Sequence, residues 1–290
     1  MIHPMMEHSV QDAMALSHRI EDLLVKRNLR GMAQVQASML PGYCLRAALM
    51  LQQARGTVLI GTGFPVAGTF ETDGPVGAIS LYQALEQVGL HPVLVCGDPL
   101  ASALEGDYRI QRLPLNERSL EARRELANDI LAQHQPSLVI SIERPGQAED
   151  ADYYNMRGES IGQHTASFDE IMHQAGCPTI AIGDGGNEIG MGNVRPALQS
   201  LDIKAAVTRC NELVVADVSN WGGHALIALL GWLIGRDLLE GFDNTAVLQY
   251  LSERGSVDGV TRLNELTEDS LPAADGQAML LALRQLTGFA

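Results

Sequence analysis

The stretch Ile180-Ala-Ile-Gly-Asp-Gly-Gly-Asn-Glu-Ile-Gly-Met-Gly-Asn193 decides how the rest of the chain is read. A short run rich in β-branched residues, Thr179 to Ile182, stops abruptly at Gly183, Asp184, Gly185 and Gly186. Asn187 and Glu188 follow, then Gly190 and Gly192. Glycine suits places where φ must be positive or where a ligand approaches the main chain closely. An ordinary turn leaving a sheet would account for the glycines. It would not account for Asp184, Asn187 and Glu188 among them, which suggest polar groups held around something small.

Working outward, the same pattern recurs. Thr57 to Ile60 is a short apolar run closed by Gly61-Thr-Gly63, and Pro92 to Cys96 ends in Gly97-Asp98. Ser137 to Ile142 ends in Glu143-Arg-Pro-Gly146, and Glu212 to Val215 ends in Asp217-Val-Ser-Asn220. Helical spacing of apolar residues is expected over 7–30, 43–54, the stretch after Pro75, 119–133, 167–175, 225–234, 244–254 and 273–287. Residues 64–70 read as loop. Near-continuous apolar strands alternating with helices argue for an α/β fold. We expect a mostly parallel sheet with helices on both faces, a Rossmann-like three-layer arrangement, and extra N-terminal helices. Residues 1–290 read as a single α/β domain, with 1–55 a helical extension packed on it. In open α/β sheets ligands bind beyond the carboxyl ends of the strands, so the clusters closing these strands should meet at one edge.

Composition narrows the functions. The 290 residues are 46% hydrophobic and 19% charged with a net charge of −15. That balance opposes binding to nucleic acid or to an anionic membrane. No signal peptide is evident in Met1 to Val10. The longest apolar run, Ala225 to Ile234, is half of the roughly 20 residues that span a bilayer, so a cytoplasmic location is expected. Lys26 and Lys204 are the only lysines and neither lies in a glycine-rich stretch, which opposes Schiff-base chemistry. Cys44, Cys96, Cys177 and Cys210 form no C-x-x-C and read as core residues.

Familiar motifs fail on inspection. A dinucleotide fingerprint starting at Gly61 or Gly183 ends on Val66 or Glu188 instead of glycine. Gly63 to Thr69 has the spacing of a phosphate loop without its lysine. Gly158-Glu-Ser-Ile-Gly162 lacks the preceding core strand that a nucleophile elbow requires. His224 reads as a packing residue. A hard divalent ion, magnesium or manganese, would find oxygen ligands in Asp184 with Glu188, or in Asp73 with Glu71, although acids near helix starts also oppose the helix dipole.

Taken together, the chain resembles the D-glutamate cyclase family. The resemblance is carried by Gly61-Thr-Gly-Phe64, Glu71-Thr-Asp-Gly-Pro75 with Gly77, Ile142-Glu-Arg-Pro-Gly146 and Tyr154-Asn-Met-Arg-Gly158. It continues through Gly183 to Asn193, Val218-Ser-Asn-Trp-Gly-Gly223 and Asp258-Gly-Val-Thr261. One departure is Arg262, where glycine is expected. The resemblance implies closure of D-glutamate to 5-oxo-D-proline with loss of water, a carbon–oxygen lyase reaction. That chemistry needs the γ-carboxylate neutralised, the ammonium deprotonated and the leaving oxygen protonated. On it rest the expected roles. Arg144 and Arg157 pair with the substrate carboxylates, Glu188 or Asp184 takes the ammonium proton, and Asp73 stands in reserve. Backbone N–H groups from Gly185 to Asn187, and the helix start at Gly74-Pro75, face the oxyanion. Gly63, Asn155, Gly186, Ser219, Asn187, Asn220 and Trp221 complete the pocket. No cofactor is required beyond a candidate divalent metal, and self-association into a homo-oligomer is compatible with the reading. Two rivals share these residues: a non-catalytic sensor of an acidic amino acid, and a metal-dependent hydrolase or lyase of another small carboxylic acid.

Overall fold

The computed structural model describes residues 9–290. Most of Met1 to Val10, and the first two residues of the helix expected from 7, lie outside the described residues. Six parallel strands form the central sheet: β1 (Thr57–Thr62), β2 (His91–Cys96), β3 (Ile110–Arg112), β4 (Leu138–Ile142), β5 (Thr179–Gly183) and β6 (Glu212–Val215). Their order across the sheet is β3-β2-β1-β4-β5-β6. The chain therefore moves outward from β1 in one direction and then returns to build from β4 in the other. Between β1 and β4 lies the switch point where such sheets open a crevice.

In-register neighbours in a parallel sheet share a face, and Thr62, Ile142, Ile182 and Val214 form one such row. Helices α3 (Tyr43–Gln53), α4 (Pro75–Gln87) and α9 (Ser219–Ile234) cover this side. On the opposite face a Cβ at Gly61 would meet Phe168 at 2.6 Å, at the head of α7 (Asp169–Gln174), which packs on α6 (Leu120–His134). Helix α1 (Val10–Leu24) packs against α3, α9 and the last helix, α11 (Ala273–Leu286). One buried apolar cluster runs through all of these, from Ala13 to Leu283.

The close crossing of α4 and α9 depends on glycine. A Cβ on Gly77 would lie 2.6 Å from Ile142 Cδ1 and 2.9 Å from the Cα of Asn220. A backbone atom cannot rotate away, so Gly77→Ala must push the helices apart. It should cost about 1–3 kcal/mol, the range for overpacking, read as a fall in the urea midpoint at constant slope.

Several expectations need correction. The first helix stops at Leu24 instead of continuing to 30, because Asp217 draws the chain away: the N–H groups of Arg27 and Leu29 donate to its carboxylate at 2.7 and 3.2 Å. A short helix, α2 (Met32–Ala37), follows. Residues 64–70 are not plain loop but a tight antiparallel pairing of Pro65–Val66 with Thr69–Phe70. Between 97 and 118 the chain holds α5 (Leu100–Leu104) and β3, neither expected, so the strand at 212 is the sixth of the sheet. The remaining helices are α8 (Arg195–Leu198) and α10 (Asn244–Ser252). No helix among the described residues is long and apolar enough to cross a membrane.

Candidate active site

Above the switch point lies a cavity of about 750 Å³. Its floor comes from loops distant in sequence. After β1 the chain brings Glu71; after β4, Glu143; after β5, Asp184, Asn187 and Glu188. Asp269 enters from the tip of a hairpin pairing Thr267–Glu268 with Leu271–Pro272, and Arg30 from the loop after α1. The upper wall is largely apolar, with Phe64, Val66, Leu115, Met156, Ile161 and Val260.

Arg30 organises the floor. Its Nη2 lies 2.6 Å from Asp184 Oδ2, pairs with Asp269, and donates to the carbonyl of Asp217 at 2.9 Å. Burial opposes its charge, but Asp184 and Asp269 hold the guanidinium well above its ordinary pKa. Glu188 is fixed differently. Its two oxygens accept the N–H groups of Gly185 and Gly186 at 2.8 and 2.7 Å. The carboxylate folds back over Gly185, where a Cβ would stand 2.9 Å from Glu188 Oε1 and 3.0 Å from Asn187 Oδ1.

Three carboxyls of the floor, Glu71, Glu143 and Asp184, retain protons more readily than free carboxylic acids. Burial, with Asp269 and Asp73 nearby, pushes Glu71 well above the usual carboxylate range. Glu143 is raised likewise by burial and by Glu188, and Asp184 by burial, against the pull of Arg30. Glu71 sits where a side chain on Gly259 would collide with it, so glycine there admits the acid to the cavity. Glu143 adopts φ +44°, a left-handed conformation that a residue with a Cβ seldom takes, and accepts a 2.5 Å hydrogen bond from Ser219 Oγ.

Beneath the floor the polar groups are structural. Helix α9 has no side-chain cap of its own; Asp73 supplies one from a distant loop, accepting the N–H groups of Ser219 and Asn220 at 2.8 and 2.7 Å. The amide oxygen of Asn220 accepts from Gly74 and Gly77 at 2.8 and 2.7 Å, and its Nδ2 donates to Glu268 at 2.7 Å. Glu268 also accepts from Asn244 at 2.8 Å. His224, buried against Ser80 and Asn244, has its pKa pushed down to about 4 by burial.

Asp73 and Glu268 are both pushed up to about 7 by burial. Unfolded, they titrate near 4. Between these values the folded chain holds protons that the unfolded chain has released. Stability from these groups therefore falls as pH rises from about 4 to about 7 and then levels off, a tenfold difference in proton affinity being worth about 1.4 kcal/mol. Urea denaturation should show greater stability at pH 5.5 than at pH 8, with the difference reduced in Glu268→Gln. Stability that rises across this window would contradict the assignment.

The structure brings Asp184, Glu188, Asn187, Asn155 and Arg157 together around the cavity, with Glu71. Asn155 accepts the N–H groups of Arg157 and Glu159, shaping that loop, and Arg157 donates to the Val260 carbonyl at 3.3 Å. Other expected residues lie elsewhere. Arg144 donates to the carbonyls of Thr62 and Ala166 and lies over Phe168, so its guanidinium does not line the cavity. Gly63 borders a small adjacent recess with it. Trp221 is buried beneath Arg27 and does not shape the pocket. Asp73, Ser219 and Asn220 support the floor from below. The N–H groups of Gly185, Gly186 and Gly74 already have carboxylate or amide acceptors, which removes them as oxyanion donors. Among the buried acids, oxygens that could share a metal come from Asp73, Asp184 and Asp269, or from Glu143, Asp184 and Glu188. Glu71 belongs to neither group. Sequence reasoning missed Arg30 and Asp269 altogether, and gave Glu143 no role.

Position 262 has φ +60°, the region that favours glycine, which explains why glycine is expected there; the arginine instead pairs with Glu159 at 3.0 Å.

Comparison with known proteins points to one family. The family described as D-glutamate cyclase-like, C-terminal, matches residues 20–284. The human protein named D-glutamate cyclase, mitochondrial, is 34% identical over 216 residues, covering 64% of this chain and 34% of that protein. The match thus spans about a third of the relative's length. Among solved structures, an exopolyphosphatase-related protein from Bacteroides fragilis superposes with a TM-score of 0.43 at 11% identity, over 86% of this chain and 60% of the other.

Proposed function

The chain belongs to the D-glutamate cyclase-like, C-terminal family, and from that premise we propose that it closes D-glutamate to 5-oxo-D-proline, releasing water. One observation carries the proposal. The same cavity holds a carboxylate whose two oxygens accept backbone N–H groups, Glu188, and a carboxyl that burial pushes well above the usual carboxylate range, Glu71. Two carboxyl groups held in such different surroundings can serve as base and acid at one site.

Glu188 takes a proton from the α-ammonium, freeing the nitrogen to attack the γ-carbon. The carbon–nitrogen bond forms, the carbon–oxygen bond breaks, and Glu71 protonates the departing oxygen. After attack the nitrogen gives its second proton to the departing oxygen, which leaves as water together with the proton from Glu71; transfer of the proton on Glu188 to Glu71 restores both groups. Arg157, at the exposed rim of the cavity, suits the α-carboxylate. Holding the substrate curled, with nitrogen beside the γ-carbon, supplies a large part of the acceleration. The human relative is named as mitochondrial; a cytoplasmic location for this chain is proposed from its sequence.

The test is to incubate purified protein with D-glutamate, and separately with L-glutamate, and to follow the lactam by NMR. Product is expected from the D-isomer. Binding without product, with magnesium or manganese present, would favour the sensor instead. A second reading has its own support. The cavity falls within the roughly 300–1,000 Å³ of sites for larger ligands, and its upper wall carries Phe64, Val66, Leu115, Met156, Ile161 and Val260, against which a bulkier carboxylic acid could pack as the substrate of a hydrolase or lyase. Thermal stabilisation across a panel of such acids distinguishes it.

A further inference from the structure

We propose that Glu143, Asp184 and Glu188, with the amide oxygen of Asn187, bind one divalent cation of the magnesium or manganese class, and that the Arg30 guanidinium takes the place of a second. The proposal rests on the cavity being the reaction site. It differs from the ligand set that the sequence suggests, which includes Glu71.

The carboxylate oxygens fall into two groups that share Asp184, each within 4.8 Å of one another. The group of Asp73, Asp184 and Asp269 already has its cation. Arg30 Nη2 contacts Asp184 Oδ2 at 2.6 Å and also Asp269, while Asp73 accepts the N–H groups at the start of α9. Among the described residues, the group of Glu143, Asp184 and Glu188 has no ion-pair partner beyond its share in Arg30. Arg144, the residue after Glu143, points away to the carbonyls of Thr62 and Ala166.

Asn187 points independently to a ligand. It is 2% exposed, lines the cavity, and its Oδ1 has no hydrogen-bond donor. Its Nδ2 donates to the Tyr154 carbonyl at 2.9 Å, which fixes the way the amide faces. Asn187 Oδ1 and Glu188 Oε1 lie at 3.0 and 2.9 Å from one point, the site of the absent Gly185 Cβ, and the flexible Met156 side chain covers it with Sδ at 2.7 Å. Buried acceptors are rarely left without a donor or cation. Every ligand is a hard oxygen, three of them anionic, which suits magnesium or manganese better than softer metals. A carboxylate has about four lone-pair positions, so Glu188 can accept its two N–H groups and still meet a cation and a substrate ammonium. When bound, the cation would neutralise a substrate carboxylate that this acidic floor otherwise repels.

Manganese titration followed by electron paramagnetic resonance tests this without substrate. The wild-type chain should take up one ion, displaceable by magnesium. Glu143→Gln and Asn187→Ala should each weaken binding by about tenfold or more, with circular dichroism showing a retained fold. Arg30→Met should raise the stoichiometry from one to two, a gain that misfolding cannot produce. No uptake by the wild type, or unchanged affinity in both weakened variants, overturns the site; a single ion in Arg30→Met overturns the role given to arginine. Because no turnover is measured, ion binding without lactam formation would sink the cyclase reading and leave this one standing.

Discussion

Arg30→Met is expected to destabilise the metal-free fold by about 3–5 kcal/mol, the cost of leaving buried charges without their partner. Methionine retains most of the apolar stem, so the loss reports charge more than packing. The guanidinium ties three loops together, reaching Asp184 after β5, the Asp217 carbonyl after β6, and Asp269 in the late hairpin. Its side chain is only 17% exposed, so solvent screens the interaction weakly. The pH dependence follows from the sign of the shifts. Asp184 already sits well above its ordinary pKa through burial, and removing Arg30 raises it further. The folded variant then binds more protons than the unfolded chain over a wider range, so its deficit grows as pH rises. Urea denaturation of both proteins at pH 5.5 and pH 8 measures this. The exposed pair of Arg112 with Asp98 offers a comparison, since solvent screens it and Arg112→Met should leave the urea midpoint nearly unchanged. A deficit for Arg30→Met no larger than that, or one independent of pH, would remove Arg30 as the counterion of the floor.

How much of this was legible in the sequence can be followed residue by residue. The four strands at the middle and far side of the sheet, β1, β4, β5 and β6, are apolar runs ending in glycine or acid, and their ends meet as the parallel topology requires. The opposite edge was not legible. Ile110-Gln-Arg112 is three residues long and not buried, so no apolar run marks it. Arg30 was invisible for a different reason: it lies in no motif, and only the fold brings it 154 positions along the chain to Asp184. Glu143 and Arg144 show a subtler limit. Successive residues leaving a strand project to opposite sides, so at most one of the two could face the cavity. The need for a partner to a substrate carboxylate favours the arginine, whereas the backbone turn at Glu143 sends the acid inward. The same rule on a helix separates Asn220, which reaches Gly74 and Gly77, from Trp221, which lies under Arg27. Spacing showed which residues share a region; it did not carry the direction of each side chain.

Glu188→Gln should lower kcat on D-glutamate by about 10²–10⁴, the usual contribution of a positioned general base, while substrate affinity at saturating manganese changes little. The amide keeps the size and one acceptor oxygen of the original side chain but cannot take a proton from an ammonium. It also meets Gly185 and Gly186 imperfectly. Both glycine N–H groups now find an oxygen, at 2.8 and 2.7 Å, and glutamine would set its own NH₂ against one of them. Losing a hydrogen bond to a charged acceptor costs about 1.5–3 kcal/mol, so a fall in melting temperature should accompany the loss of turnover. The two effects separate because stability does not enter kcat once the folded fraction is counted. Glu188→Asp, which retains two acceptor oxygens on a shorter stem, provides the second comparison. A base that must reach the ammonium should leave the aspartate variant slow and still measurable, above the glutamine variant. If the glutamine variant turns over at the wild-type rate, the proton goes elsewhere, and Asp269, a cavity-lining acid paired with Arg30, becomes the residue to replace next.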